Sequence, residues 1–385
     1  MGENRIVLMV LSHVGSGGDW VAVDSLAGEL GKRGCILHLA ANYARSSIDR
    51  KFAFCEKLPL NEGFRGLIRS LRRLGRFDPR TAVIHTHSTS ALIFGIALKV
   101  LRCRRAIIIH SFHLHLLDSP LARISKVLLY RFPSRLHCSS RDLAVYAETY
   151  YRIPRHKIVM LPLGADDERF SPATAAERTR YRQQLGLDPA TFTLLFVGRL
   201  NPEKNVDLLL SALARDGGMP GKTHLLVAGT GPLEQQLRAQ AKDLGLSEKV
   251  TFLGHVKELR TVYGAADLLV LPSKARETFG LVVIEAALCA LPCLRSDTFG
   301  ARDQIEDGVD GEIFRQGDGE DLRRHLLRLI SDPENVRRIG CAAHKKAKAQ
   351  FTLEALGERF EGVIENLVNA KRLSSAEPLH PVSKA

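Results

Sequence analysis

The sequence predicts an α/β protein of two Rossmann-like, doubly wound domains facing a central cleft. Three observations carry this expectation. Continuous apolar runs recur, among them residues 6–11 (IVLMVL), 106–110 (AIIIH), 191–197 (TFTLLFV) and 267–271 (DLLVL). Runs of this length without polar alternation read as parallel strands buried on both faces. Each gives way to a turn rich in Gly, Ser or Pro and then to a helical segment. The alternation runs through twice, before and after residues 162–172 (PLGADDERFSP), and 385 residues suffice for about two domains.

In order, residues 6–11 form a strand, 12–20 (SHVGSGGDW) a loop, a helix follows through Leu30 and stops at Gly34, and 35–40 form a second strand, completing a βαβ unit. Gly15 and Gly17 begin a GxGxxG pattern, but Trp20 takes the third position and no acid ends the second strand. The dinucleotide fingerprint is therefore incomplete. What remains is a tight turn at a strand's carboxyl end, either admitting a ligand to backbone or simply needing small residues.

Residues 61–76 read as an amphipathic basic helix, with Arg65, Arg69, Arg72, Arg73 and Arg76 beside Phe64, Leu67, Ile68, Leu71 and Leu74. This is either a solvated surface face or a face attracted to an anionic membrane. Strands at 81–87 and 106–110, separated by a helix at 91–101, carry His85, His87 and His110 toward their carboxyl ends, with His113 just beyond. Ligands of open α/β sheets gather there. No acid or cysteine stands at ligand spacing from these histidines, so a zinc site is not expected. Strands at 135–139 and 157–161, with Ser140 capping a helix from Arg141, close the first series.

A polar helical stretch at 173–186 leads to the second series. Strands are expected at 191–197, 224–228, 250–253, 267–271 and 292–296, and helices at 206–213, 233–244, 259–263, 281–291 and within 300–307. Helices at 322–330, 334–351 and 353–373 follow. The expected division is an N-terminal domain 1–170, a C-terminal domain 171–352, a helix 353–373 packing back toward the first domain, and a mobile polar tail 374–385.

Composition narrows the function classes. The chain is 45% hydrophobic and 25% charged, ordinary for a globular protein. Its net charge is +13, yet residues 1–160 hold 25 basic and 11 acidic residues, so the whole surplus lies in the first half. No aromatic-interleaved or zinc motif supports nucleic acid as the partner. The seven cysteines are scattered with no CxxC pair, which fits a reducing cytoplasm. No signal peptide is read at the N-terminus, and the longest apolar run, 91–98, is too short to span a bilayer.

The chemistry concentrates at residues 271–285 (LPSKARETFGLVVIE). A strand end runs into a loop and then a helix N-terminus, whose unbonded N–H groups favour an anion. Glu277 stands before the helix and Glu285 inside it. An unpaired buried carboxylate is costly, so Glu285 needs a partner or a ligand, while Glu277 either caps the helix or meets a ligand. Arg199 and Lys204 lie on another strand-end turn, where they are either surface cations or phosphate ligands.

GRLNPEKN (198–205), AGTGPL (228–233), FLGHV (252–256), YGAADLLVLPSKARETFGLVVIEA (263–286) and DGVDG (307–311) resemble, in order and spacing, the family 4 glycosyltransferases, retaining nucleotide-sugar enzymes of the GT-B fold. The Gly17-Gly18 loop, IHTHS, IIIHSFH and LPLGADDERF agree less specifically, so the resemblance covers nearly the whole chain. It implies that Arg199 and Lys204 hold the donor diphosphate, where fixed cations stabilise charge as the glycosidic bond breaks. It implies that Glu277 faces the donor sugar and Glu285 the ribose hydroxyls. Phe279, Gly280 and Leu281 would offer backbone to sugar and phosphate, and Gly254 and His255 would meet the base. His110, with His113 as its rival, matches the family's active-site histidine, and Gly17 and Gly18 would bring backbone toward donor phosphate and acceptor. The sequence departs from the pattern at Phe299-Gly300, Leu163 and Ala290-Leu291, which puts the donor-sugar pocket in doubt.

The function expected is retaining transfer of a sugar from a nucleotide diphosphate sugar, UDP or GDP, to an acceptor hydroxyl in glycolipid, lipopolysaccharide or exopolysaccharide assembly. Closure of the cleft would assemble the site, and the leaving diphosphate would take the acceptor's proton. No DxD dyad is placed to bridge phosphates, so no metal and no separate cofactor are expected. The acceptor is read as lipid-linked or glycan, and the protein as cytoplasmic, with peripheral attachment to an anionic membrane through its basic half. The alternatives are a sugar-nucleotide epimerase or hydrolase on the same scaffold, and a non-catalytic donor-binding subunit.

Overall fold

The structure, a computed structural model, describes residues 5–11, 18–42, 51–113, 119–215, 218–274, 277 and 279–376. The chain folds as two units, one of Met1–Ser139, Ala144–Leu161 and Glu354–Ala385, and a second of Ser140–Leu143 and Pro162–Leu353.

The first unit contains β1 (Ile6–Val10), α1 (Gly18–Lys32), β2 (Ile36–Ala41), β3 (Phe54–Lys57), α2 (Gly63–Leu71), β4 (Val83–Thr86), α3 (Thr89–Leu101), β5 (Ile107–Ser111), α4 (Pro120–Leu129), β6 (Arg135–Cys138), α5 (Arg141–Tyr150) and β7 (Ile158–Met160). The strands form one parallel sheet in the order β3-β2-β1-β4-β5-β6-β7. Burial on both faces explains the unbroken apolar runs: every residue of β1 is buried. Order reverses between β1 and β4, so their carboxyl ends flank the switch point.

The second unit contains α6 (Ala175–Gln184), β8 (Phe192–Val197), α7 (Val206–Ala214), β9 (Thr223–Ala228), α8 (Glu234–Asp243), β10 (Val250–Gly254), α9 (Leu259–Ala265), β11 (Leu268–Leu271), α10 (Leu281–Leu288), β12 (Cys293–Ser296), α11 (Ala301–Gln304), β13 (Glu312–Phe314), α12 (Gly319–Ser331) and α13 (Pro333–Gln350). Its parallel sheet runs β10-β9-β8-β11-β12-β13, with the switch point between β8 and β11. Local chemistry marks the helix starts: Thr174 and Glu177 form a reciprocal capping box on α6, and Asp332 caps α13 with Pro333 at its first position.

Two expectations need correction. The first domain ends near residue 161 rather than 170, because the following segment packs into the second unit. Ala165 pairs with Thr352, its N–H donates to Phe351 O at 2.9 Å, and Phe170 sits in that unit's core. The last helix, α14 (Leu353–Ala376), runs beyond 373, and its Leu356, Phe360 and Ile364 are buried among the residues of β1, β2 and α1. The expected mobile tail from 377 onward lies outside the described residues. The short strands β3 and β13 were not expected; each is too brief to show a period.

Candidate active site

In the second unit, β8 and β11 pair directly, so the turns leaving their carboxyl ends stand side by side although their residues are far apart in sequence. Beyond β8 the chain makes a short 3-10 turn, Pro202–Lys204, in which Asn201 Oδ1 accepts from Lys204 N at 3.2 Å. Asn205 follows at φ 54°, a left-handed conformation that asparagine tolerates, and reorients the chain into α7. The turn sends the Lys204 ammonium to the Glu277 carboxylate, which arrives from the β11 loop; the two form a partly buried ion pair. Ser273 Oγ donates to the same carboxylate oxygen at 3.3 Å. Burial raises the Glu277 pKa, but the Lys204 charge and hydrogen bond, helped by Arg295 and Ser273, prevail and hold it below the usual carboxylate value. Arg199 is exposed on the β8 turn, and its guanidinium has no hydrogen bond or ion pair among the described residues.

The β8 turn rests on the next turn through bare backbone. A Cβ on Gly229 would lie 1.9 Å from Gly198 O, and one on Gly231 would lie 2.2 Å from Leu200 O. Leu200 N donates to Thr230 O at 3.0 Å and Gly229 N to Gly254 O at 2.7 Å, so three successive strand ends are tied together. Gly254 closes β10 at φ 66°, and His255 follows it, exposed.

Arg295 was missed by sequence reasoning. It comes from β12, is 0% exposed, and donates to Phe279 O at 3.1 Å, to Thr298 Oγ1 at 2.8 Å and to Gln304 Oε1. Gln304 Nε2 in turn donates to Gly280 O at 3.3 Å. The Phe279-Gly280 turn into α10 is thus held by its carbonyls from beneath. Gly280 sits at φ 76°, as a left-handed N-cap requires, and Leu281 opens the helix. The signal was present: a charged residue inside the apolar strand CLRS must have a polar partner. Glu285, one turn into α10, accepts from the Tyr263 hydroxyl at 2.8 Å. Burial raises its pKa despite that bond and the charge of Arg169.

In the first unit, Gly17 lies outside the described residues and Gly18 is the first residue of α1. His110 and Ser111 are successive residues of β5 and face opposite ways. His110 is 2% exposed, with Nδ1 2.8 Å from Thr86 Oγ1 and its ring stacked on Tyr130. In this geometry the His110 ring packs on Tyr130 with Nδ1 turned to Thr86. Ser111 faces the other histidines. His85 Nε2 lies 2.8 Å from Ser111 Oγ, Ser111 Oγ 2.9 Å from His137 Nδ1, His137 Nε2 2.8 Å from Leu161 O, and His87 Nε2 3.3 Å from His85 Nδ1.

A carbonyl can only accept, so His137 donates from Nε2 and its Nδ1 accepts from Ser111. Ser111 then accepts from His85 Nε2, and His85 Nδ1 accepts from His87 Nε2. Desolvation keeps all three rings neutral: it pushes His85 and His87 well below the ordinary histidine value and His137 to about 4. The chain of bonds therefore has one direction and leaves His87 Nδ1 an unprotonated acceptor at the end of β4. The His113 ring stands 6.1 Å from that of His87.

The model of the Glycosyltransferase Family 4 matches residues 16–169, and that of the Glycosyl transferases group 1 matches residues 177–346. The chain is 36% identical over 229 residues to a D-inositol 3-phosphate glycosyltransferase of Nocardia farcinica, covering 56% of this chain and 49% of that one. It is 29% identical over 214 residues to a GDP-mannose-dependent monoacylated alpha-(1-6)-phosphatidylinositol monomannoside mannosyltransferase of Corynebacterium glutamicum, covering 54% and 55%. These matches span about half the length of the curated relatives. In fold it matches Anabaena Alr3699/HepE, solved with UDP, at a TM-score of 0.81 and 22% identity, over 96% of this chain and 100% of that one. By these matches the chain has the GT-B fold and is related to the group 1 and family 4 glycosyltransferases.

Proposed function

We propose that the protein transfers a sugar, with retention, from a nucleotide diphosphate sugar to an acceptor hydroxyl in glycolipid or polysaccharide assembly. The Lys204–Glu277 pair across the β8/β11 switch point carries this reading, with Arg199 exposed on the same strand-end turn as Lys204. Two cations on one strand-end turn suit a diphosphate, whose charge grows as the glycosidic bond breaks. Glu277, kept ionised by Lys204, orients donor sugar hydroxyls, and Lys204 stays shared between that carboxylate and the phosphate. Glu285 meets the ribose, Gly254 and His255 the base, and Phe279, Gly280 and Leu281 supply backbone to sugar and phosphate. The leaving diphosphate accepts the acceptor's proton. No metal and no separate cofactor take part in this scheme.

Solved structures of Alr3699/HepE hold UDP or UDP-glucose, and the Corynebacterium relative is named for GDP-mannose, so UDP and GDP are the bases to try first. The acceptor belongs to the first unit, where His87 Nδ1 and His113 come ahead of His110 as the groups to meet a hydroxyl, and Gly18, at the start of α1, offers it backbone. A lipid-linked acceptor suits that unit's positive charge and implies peripheral work at a cytoplasmic membrane face. Among the described residues no helix is long and apolar enough to cross a bilayer.

The test is thermal protection by a panel of UDP- and GDP-sugars, followed by nucleoside diphosphate release. One donor should protect the parent chain, and Lys204→Ala should abolish both protection and release. Undiminished turnover in that variant would end the phosphate assignment.

A further inference from the structure

Arg295 is fully buried, yet its guanidinium has no carboxylate partner among the described residues. Nearby acids are engaged elsewhere: Glu277 pairs with Lys204, and Asp297 accepts from Arg302 at 2.8 Å. The Arg295 Nε is buried and finds no acceptor among the described residues. Burying a cation without a counter-ion is costly, and an apolar side chain of similar volume would fill the same space without that cost. What Arg295 does hold is specific. It donates to the Phe279 carbonyl and to the Gln304 amide oxygen, and the Gln304 Nε2 donates to the Gly280 carbonyl. Arginine can only donate, so this orientation of the Gln304 amide is forced.

The two side chains therefore hold two successive carbonyls. In a planar trans peptide the carbonyl and the following N–H point in opposite directions. Drawing the Phe279 carbonyl toward Arg295 turns the Gly280 N–H away from it. Drawing the Gly280 carbonyl toward Gln304 does the same for the Leu281 N–H. Neither N–H has an acceptor among the described residues. Both stand at the start of α10, where backbone N–H groups lack helical partners. Glu277 is close by: a Cβ on Gly280 would lie 3.6 Å from its carboxyl carbon. Burial lifts the Glu277 pKa, Lys204 does most to lower it, and the Arg295 charge adds to the lowering.

We infer that Arg295 and Gln304 are positioning residues for donor recognition: they fix the Phe279 and Gly280 carbonyls so that the Gly280 and Leu281 N–H groups meet a phosphate of the nucleotide diphosphate sugar, whose negative charge compensates the unpaired guanidinium. Both act through the turn and not by touching the ligand. The inference rests on the reading of this strand-end region as a nucleotide diphosphate sugar site. It accounts for a charge where an apolar residue would pack as well. The buried cation destabilises the unliganded chain and is offset when the diphosphate binds.

The discriminating variant is Gln304→Glu. It keeps an oxygen to accept from Arg295 and gives the guanidinium a carboxylate, but it removes the N–H that holds the Gly280 carbonyl. A purely structural pair would leave ligand binding unaltered in a chain at least as stable as the parent. Affinities are read by calorimetry for UDP and GDP and by ligand-observed NMR for uridine and guanosine, which lack phosphates; stability is read by urea unfolding. Expected is binding of the nucleoside diphosphate weakened about tenfold or more, nucleoside affinity changed less than about twofold, and a urea midpoint no lower than the parent's. Unchanged diphosphate affinity, or equal loss of diphosphate and nucleoside, would overturn the inference. Should Gln304→Glu not fold, Gln304→Ala leaves Arg295 its bonds to Phe279 and Thr298 and is judged by the same two affinities. A parent chain that binds neither UDP nor GDP would fail the donor reading itself, before any variant is compared.

Discussion

The two units put polar side chains at the same place, the carboxyl ends of strands at a switch point, and treat them in opposite ways. The second unit keeps its groups charged by pairing: Lys204 holds Glu277 ionised, and buried Arg295 is supported by Thr298, Gln304 and the Phe279 carbonyl. The first unit keeps its groups neutral by burial: His85, His87 and His137 are joined in one directed chain ending on the Leu161 carbonyl. A charged end suits an anionic diphosphate, and a neutral end with a bare lone pair suits a hydroxyl. The same topology therefore yields two recognition chemistries through the side chains at its strand ends.

The largest test of that contrast is at the ion pair. Lys204→Ala should lower nucleoside diphosphate release about 100-fold or more. It should also cost about 3 kcal/mol of stability by stranding a largely buried carboxylate, read by urea unfolding. Lys204→Met combined with Glu277→Leu should restore most of the stability and none of the turnover. Recovery of turnover in the double variant would reduce the pair to scaffolding.

Acidification should separate the units next. The folded-state pKa values of the three histidines are depressed, so below the usual value of about 6.5 the unfolded chain binds protons that the folded first unit refuses. Their contribution is complete above about 6.5 and is lost as pH falls toward the His137 value of about 4. Glu277 is also depressed, but from a carboxylate value, so its contribution survives to lower pH. Thermal melts from pH 7 to 4 should show the first unit failing before the second, and His85→Leu with His137→Leu should flatten that dependence. A single transition with no pH dependence above 5 would contradict the neutral chain.

Ser111→Ala removes the link between His85 and His137 and should cost about 1–2 kcal/mol. It should also release the His87 tautomer, visible as a change in its ring ¹⁵N shifts; an unchanged His87 spectrum would mean the chain does not propagate. The smallest effect is at Glu285. Its folded pKa is raised, so the ionised form destabilises the unliganded chain as pH climbs through that value. Glu285→Gln should melt slightly higher at neutral pH yet bind the donor less tightly, measured by calorimetry. Undiminished donor affinity would remove Glu285 from the nucleotide site.

Much of the second unit's site was legible because each element is local: a strand, a strand-end turn and residue types that suit phosphate. That Lys204 and Glu277 are partners was not legible, since it depends on β8 lying beside β11. Arg295 carried a signal, a charge in an apolar strand, that names a need without naming the partner. His110 shows a different limit. Consecutive strand residues face opposite sides, and a motif with histidines three apart does not say which of them faces the site.

The placement of α14 bears on biosynthesis. Leu356, Phe360 and Ile364 complete the core around β1, β2 and α1, yet the ribosome makes them only after the whole second unit. At about 5–20 residues per second, the first-made strands wait roughly 15–65 s for their last packing partner. The second unit has its own core from contiguous sequence and can settle during that interval. The half of the protein translated first is thus the half that finishes folding last, and its apolar sheet face is what a chaperone would meet on the nascent chain.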